Sequence, residues 1–316
     1  MAKNVGRTFR WEVVAAGELG PGPRSRHGLT FDRAANAAVL FGGIIWDEHE
    51  SLLSDTWELH DGRWTQIRTT DAPPARHRGA MVYLASREQS ILFGGQGQTC
   101  NFFGDTWAYS QKRWQKLRRW PWSSAPPPRC GHCMTYDEQT GVAVLFGGID
   151  SNNDSLGDTW LFNGTSWKKV RGSGPPARRY AAFAYDPELK GCLLHGGAAD
   201  DHGSLTFGDI WLFRDHAWKR LAMSFDTDAR DDHGMAYHRQ AKRLVMLEGV
   251  AGARGILVRE DVGWWPVEAS PLHPRHQCSP LVWDDRLNGL LMHGGESRHG
   301  GPQFDMTLLL RIPTIS

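Results

Sequence analysis

Apolar residues fall in short runs separated by Gly, Asn, Asp and Pro, a texture that predicts strands and turns rather than helices. One phrase punctuates the chain. The run Val39-Leu40-Phe41 ends in Gly42-Gly43, and its equivalents end at Gly94-Gly95, Gly147-Gly148, Gly196-Gly197, Glu248-Gly249 and Gly294-Gly295. Successive second glycines lie 52, 53, 49, 52 and 46 residues apart, so the chain reads as six copies of one unit. Other landmarks keep step. Upstream, an arginine opens a run ending in an aromatic residue: Arg24 to Phe31, Arg76 to Tyr83, Arg129 to Tyr136, Arg178 to Tyr185, Arg230 to Tyr237 and Arg275 to Trp283. Downstream comes Asp-x-Trp, at Asp55 to Trp57, Asp105 to Trp107, Asp158 to Trp160 and Asp209 to Trp211. A second tryptophan follows seven residues after the first, at Trp64, Trp114, Trp167 and Trp218. The fifth unit keeps Trp264 but has Leu257 in the first place.

Each unit holds four strand-like runs, and four strands make one propeller blade. A lone four-stranded sheet cannot bury both faces, so the units must stack. The expected fold is all-β: a six-bladed β-propeller of four-stranded antiparallel blades forming a single domain over 1–316. The blades run approximately over 24–67, 76–117, 129–170, 178–221, 230–268 and 275–312. The sixth unit stops without a second tryptophan, and Phe9-Arg10-Trp11-Glu12-Val13-Val14 supplies a spare strand at the other end. Residues 9–15 are therefore expected to complete the last blade and close the ring, with paired tryptophans wedged between blades. These landmarks resemble the kelch repeat, in particular bacterial members near the propeller of galactose oxidase, over roughly residues 9 to 312. Unit five departs from the repeat, which implies a locally irregular blade. The resemblance implies the fold, whereas function on such scaffolds ranges from enzymes to adaptors.

Composition narrows the partners. Lys+Arg of 36 against Asp+Glu of 35 gives a net charge of +1, which argues against nucleic acid or anionic membrane as a partner. Fifteen Trp fit a repeated packing role. Five cysteines (Cys100, Cys130, Cys133, Cys192, Cys278) lack framework spacing and read as reduced thiols. With neither an apolar leader nor a membrane-spanning run, the expectation is a cytoplasmic monomer.

The longer connections follow the glycine pairs, as in Ile44 to Ser54, Gln96 to Gly104 and Ala198 to Gly208, and link the blades, as in Arg118 to Pro128. Both sets emerge at one end of a propeller, and long loops on a rigid frame carry function more often than tight turns. Arg24, Arg76, Arg129, Arg178, Arg230 and Arg275 should ring that mouth. Their guanidiniums suit carboxylate, phosphate or acidic peptides, or alternatively tie blades together by bonding carbonyls or the repeat Asp. Trp46, Trp120 and Trp122 lie outside the repeated positions and are recognition candidates. His27, His132 and His233 fall at one place in alternate units, about 120° apart in a six-fold ring; they are either a three-histidine metal site or packing residues. Cys130-Gly131-His132-Cys133 has dithiol spacing, but it enters a strand, where the two cysteines would face opposite sides. The six tyrosines do not assemble the copper site that the resemblance to galactose oxidase would imply. Glu248, an acid where five units have glycine, is the candidate general base if the chain resembles the kelch-type sialic acid epimerases. The expected function is a binding module for a protein or acidic ligand on the long-loop face, without a cofactor. The alternative is an enzyme acting on a small polar or sugar-like substrate at the channel mouth.

Overall fold

A computed structural model describes residues 9–15, 20–118, 124–200, 205–222, 229–247, 249, 255–260, 263–267, 269–270, 277–297 and 301–311. Among the described residues six sheets stand around one axis, five of four antiparallel strands and one of five. Blade 2 shows the plan, with strands Ala80–Leu84, Gln89–Phe93, Thr106–Ser110 and Arg113–Leu117 paired in chain order from axis to rim. Blade 5 keeps four strands although it lacks Asp-x-Trp. In blade 6, Phe9–Ala15 pairs antiparallel with Thr307–Arg311, in the register Trp11 to Leu310, and so closes the ring as expected. Ala269–Ser270 adds a short parallel strand outside it. One connection differs from expectation: Ala37–Ile45 and Ser51–His60 of blade 1 pair beyond the glycines, so most of Ile44 to Ser54 is hairpin rather than loop.

The repeated residues explain why blades meet as they do. Gly42 has φ 65° and Gly43 φ 103°, a left-handed turn that L side chains resist. The Gly43 N–H donates to the Arg76 carbonyl of the next blade at 3.0 Å, and a Cβ on Gly42 would stand 2.7 Å from that oxygen. The lead arginine completes the joint. Arg76 donates to both oxygens of Asp105, to the Gly94 carbonyl at 3.1 Å and to the Pro74 carbonyl at 3.0 Å. Arg24 with Asp55, Arg129 with Asp158 and Arg178 with Asp209 repeat the pairing. The first tryptophan of each pair donates to the same aspartate, as Trp107 Nε1 does at 2.8 Å. The second is the wedge: Trp64, Trp114, Trp167 and Trp218 donate Nε1–H to Thr307, Thr56, Thr106 and Thr159 of the preceding blade. Blade 4 has Ile210 where that threonine stands, and Trp264 Nε1 is buried without an acceptor among the described residues.

Candidate functional site

The innermost strands enclose an axial cavity of about 570 Å³. One end is framed by the residue seventeen places before the second glycine of each pair. Arg26, Arg78, Gly131, Tyr180, Asp232 and Cys278 all take left-handed φ, between 50° and 61°. Their backbones form a closed circle. Arg78 N–H donates to Arg26 O at 2.8 Å, Gly131 to Arg78, Tyr180 to Gly131, Asp232 to Tyr180, Cys278 to Asp232, and Arg26 to Cys278 at 2.8 Å. Every blade must therefore turn left-handed here, a conformation that favours glycine. Only blade 3 supplies one. The other five positions carry Arg, Arg, Tyr, Asp and Cys, chemistry-bearing side chains held where the backbone disfavours them, and such strain concentrates at functional sites.

The side chains on this belt divide the mouth. On one side Arg26 pairs with the buried Glu296 at 3.0 Å and stacks on Trp46 at 4.9 Å. Its charge is answered. On the other side the Arg78 guanidinium lies 4.7 Å over the Tyr180 ring, and it has no acidic partner among the described residues. Tyr180 reaches it by crossing Gly131, where a Cβ would meet the ring at 2.5 Å. His77, 6 % exposed, stands beside them with Nδ1 lacking a partner among the described residues. Burial, and then the charges of Arg78 and Arg26, push its pKa down to about 3, so the ring is neutral near pH 7. Trp46 Nε1 and Gln277 Oε1 are further buried polar atoms without partners among the described residues. Arg78 and Tyr180 thus line the cavity with a cation that no acid among the described residues answers, suited to an anionic group that accepts from Arg78.

The residues singled out from sequence are placed differently. Arg24, Arg76, Arg129, Arg178 and Arg230 are at most 2 % exposed. In the first four units the guanidinium sits on the repeat aspartate, and Arg230 donates to the Leu247 carbonyl at 3.1 Å. The arginine circle expected to face ligand is thus inside the blades, because a bidentate carboxylate within reach outcompetes exposure. Trp46 is half-buried with the Arg26 guanidinium 4.9 Å over its ring. Arg275, Trp120, Trp122 and Glu248 lie outside the described residues.

The three histidines do not converge. His27 packs against His293 at 6.0 Å, His132 against Phe93 at 5.5 Å and His233 against His195 at 5.0 Å, each in the joint with the preceding blade. Spacing puts them 120° apart, but a strand's side chains point sideways into the neighbouring blade. Burial pushes His27 and His233 well below the ordinary imidazole value and His132 down to about 3. Among the described residues no three His, Cys, Asp or Glu gather as a metal site. Cys130 and Cys133 are not in disulfides, and burial raises the Cys133 thiol to about 12, far from a reactive thiolate. Belt residues other than Gly131 escaped sequence reading because they share no residue type; alignment of units on the second glycine of each pair would have exposed them.

Known proteins carry the same repeat. No family model matches the chain. An F-box/kelch-repeat protein of Arabidopsis thaliana is 29 % identical over 170 residues, 49 % of this chain and 33 % of that protein. Kelch domain-containing protein 1 of Mus musculus is 23 % identical over 256 residues, 69 % of this chain and 60 % of that protein. The chain thus spans less than two thirds of either relative. The solved structure of YjhT superposes with a TM-score of 0.67 at 16 % identity, over 94 % of this chain and 99 % of that one, a likeness of fold.

Proposed function

Because this chain belongs to the kelch-repeat propellers, we infer that it is a protein-interaction module that docks its partner on the belt end of the disc. One observation carries this reading: five of six left-handed belt positions bear functional side chains in place of the glycine the backbone favours. The partner's contribution is an acidic group. Arg78 is the cation left without a counter-charge among the described residues, and Tyr180 fixes its orientation. Trp46, beside Arg26, offers apolar area at the same rim, as interface anchors do.

Selection of displayed peptides on the immobilised protein tests this. The enriched peptides should carry Asp or Glu and lose about tenfold in affinity, roughly 1.4 kcal/mol, against Arg78→Ala. They should be indifferent to Arg87→Ala, on an exposed turn. Binders that ignore Arg78 and Trp46 would defeat the reading. Catalysis on a small polar substrate is a second reading, favoured by Tyr180 and Asp232 lining the cavity in adjoining blades with their backbones hydrogen-bonded. Its mark would be turnover abolished by Tyr180→Phe with the fold intact.

A further inference from the structure

The opposite end of the axial cavity is crossed by charge. The residue following each innermost strand is, in blade order, Arg33, Ala85, Glu138, Pro187, Arg239 and Asp285. All six line the cavity. The four charged ones form a closed circuit of alternating sign. Arg33 Nη2 meets Glu138 Oε1 at 3.4 Å, and its Nε meets Asp285 Oδ2 at 3.2 Å. Arg239 meets the same Glu138 oxygen at 3.6 Å and Asp285 Oδ1 at 3.2 Å. Two of these contacts skip a blade. Arg33 reaches from blade 1 to blade 3 past Ala85, and Arg239 from blade 5 to blade 3 past Pro187, so the side chains cut across the exit instead of running round it. Small residues at the two bypassed positions leave them room.

From this we propose that the cavity is a blind pocket, entered at the belt and sealed at the far end by an ionic gate of Arg33, Glu138, Arg239 and Asp285. The proposal is independent of what docks at the belt. Its strength follows from exposure: the four side chains are 32–43 % exposed, and ion pairs at such sites contribute at most about 1 kcal/mol each. Such a gate closes at low ionic strength and yields to salt, since at about 1 M the screening length shrinks to roughly 3 Å. A through-channel would pass solvent both ways. A sealed one admits a ligand's arm from the belt and bars entry from the opposite face.

The gate is tested in a Thr135→Cys protein, Thr135 being a half-buried cavity-lining residue three places before Glu138. Labelling by N-ethylmaleimide is read residue by residue by peptide mass spectrometry, with the fully buried Cys192 reporting on unfolding. Residue 135 should label slowly in about 0.05 M salt, where the reagent arrives only through the belt past the stacked Arg78 and Tyr180, and about fivefold or more faster in 1 M salt, where the opened gate adds a second way in. Added Arg33→Ala and Arg239→Ala should give the fast rate at low salt; Arg33→Lys with Arg239→Lys should keep the slow, salt-sensitive one. Equal rates with and without the two arginines, Cys192 remaining protected, would overturn the gate. If the alanine variant unfolds, the salt titration of the arginine-containing protein decides: a rate that does not change with salt overturns it equally.

Discussion

Arg76 shows why a residue's type does not disclose its duty. It has the chemistry to hold a ligand's carboxylate, yet Asp105 takes both its terminal nitrogens 29 positions along the chain. Burial pushes the Asp105 carboxyl up, but the bonds and charge of Arg76 hold it below its ordinary value. Asp105→Ala should therefore destabilise the protein by about 3–5 kcal/mol in a denaturant titration, since the arginine stays buried without its counter-charge. The wedge tryptophans give a finer test. Thr56→Val keeps the shape but removes the acceptor of Trp114 Nε1–H, and should cost about 1–3 kcal/mol. Ile210→Thr would restore the missing acceptor to Trp264. Its cost in lost apolar burial should be offset by about 1 kcal/mol of hydrogen bonding, measured as a coupling to Trp264→Phe in a double-mutant cycle.

Strands and blades were the part most legible in the sequence. Paired glycines, Asp-x-Trp and the second tryptophan each answer a need that recurs at every joint: a left-handed hook, an arginine partner and a wedge. Repetition makes such needs visible. The last strand was legible for a complementary reason, since blade 6 lacked a piece that Phe9 to Val14 could supply. Deleting residues 1–15 removes the partner of Thr307–Arg311 and bares that edge. The truncated chain should melt at markedly lower temperature and self-associate, which calorimetry and light scattering would register. Belt and gate were not legible, because each is built from one position per unit occupied by six different demands. Side chains at those places do not share the one contact repeated at every joint, so no common type marks them.

Around the whole disc, buried imidazoles couple the fold to acidity. His77, His132 and His195 are pushed down to about 3, first by burial and then by neighbouring arginines. The unfolded chain takes up their protons near pH 6.5, whereas the folded one refuses them until about pH 3. Stability is thus full above pH 6.5 and falls as pH drops through the window between those values, by about 1 kcal/mol for each histidine at pH 5.5. Below about pH 4 the depressed carboxylates of Asp105, Asp158 and Asp209 lose their contribution too, as pH passes their folded values. Melting temperature should decline between pH 7 and 5.5, and His132→Leu should flatten the decline by one proton's share.

The hydrogen-bonded circle at the mouth has a sense of rotation, for each amide gives to the blade behind it and the first blade gives to the last. Peptide dipoles arranged head to tail around a closed loop cancel across its centre, unlike those of a helix, which add. The scaffold thus contributes little field of its own there, and the potential met by an arriving molecule is written by the mounted side chains. Exchanging Arg78 or Asp232 should rewrite what the disc attracts while leaving the wheel that carries them unchanged.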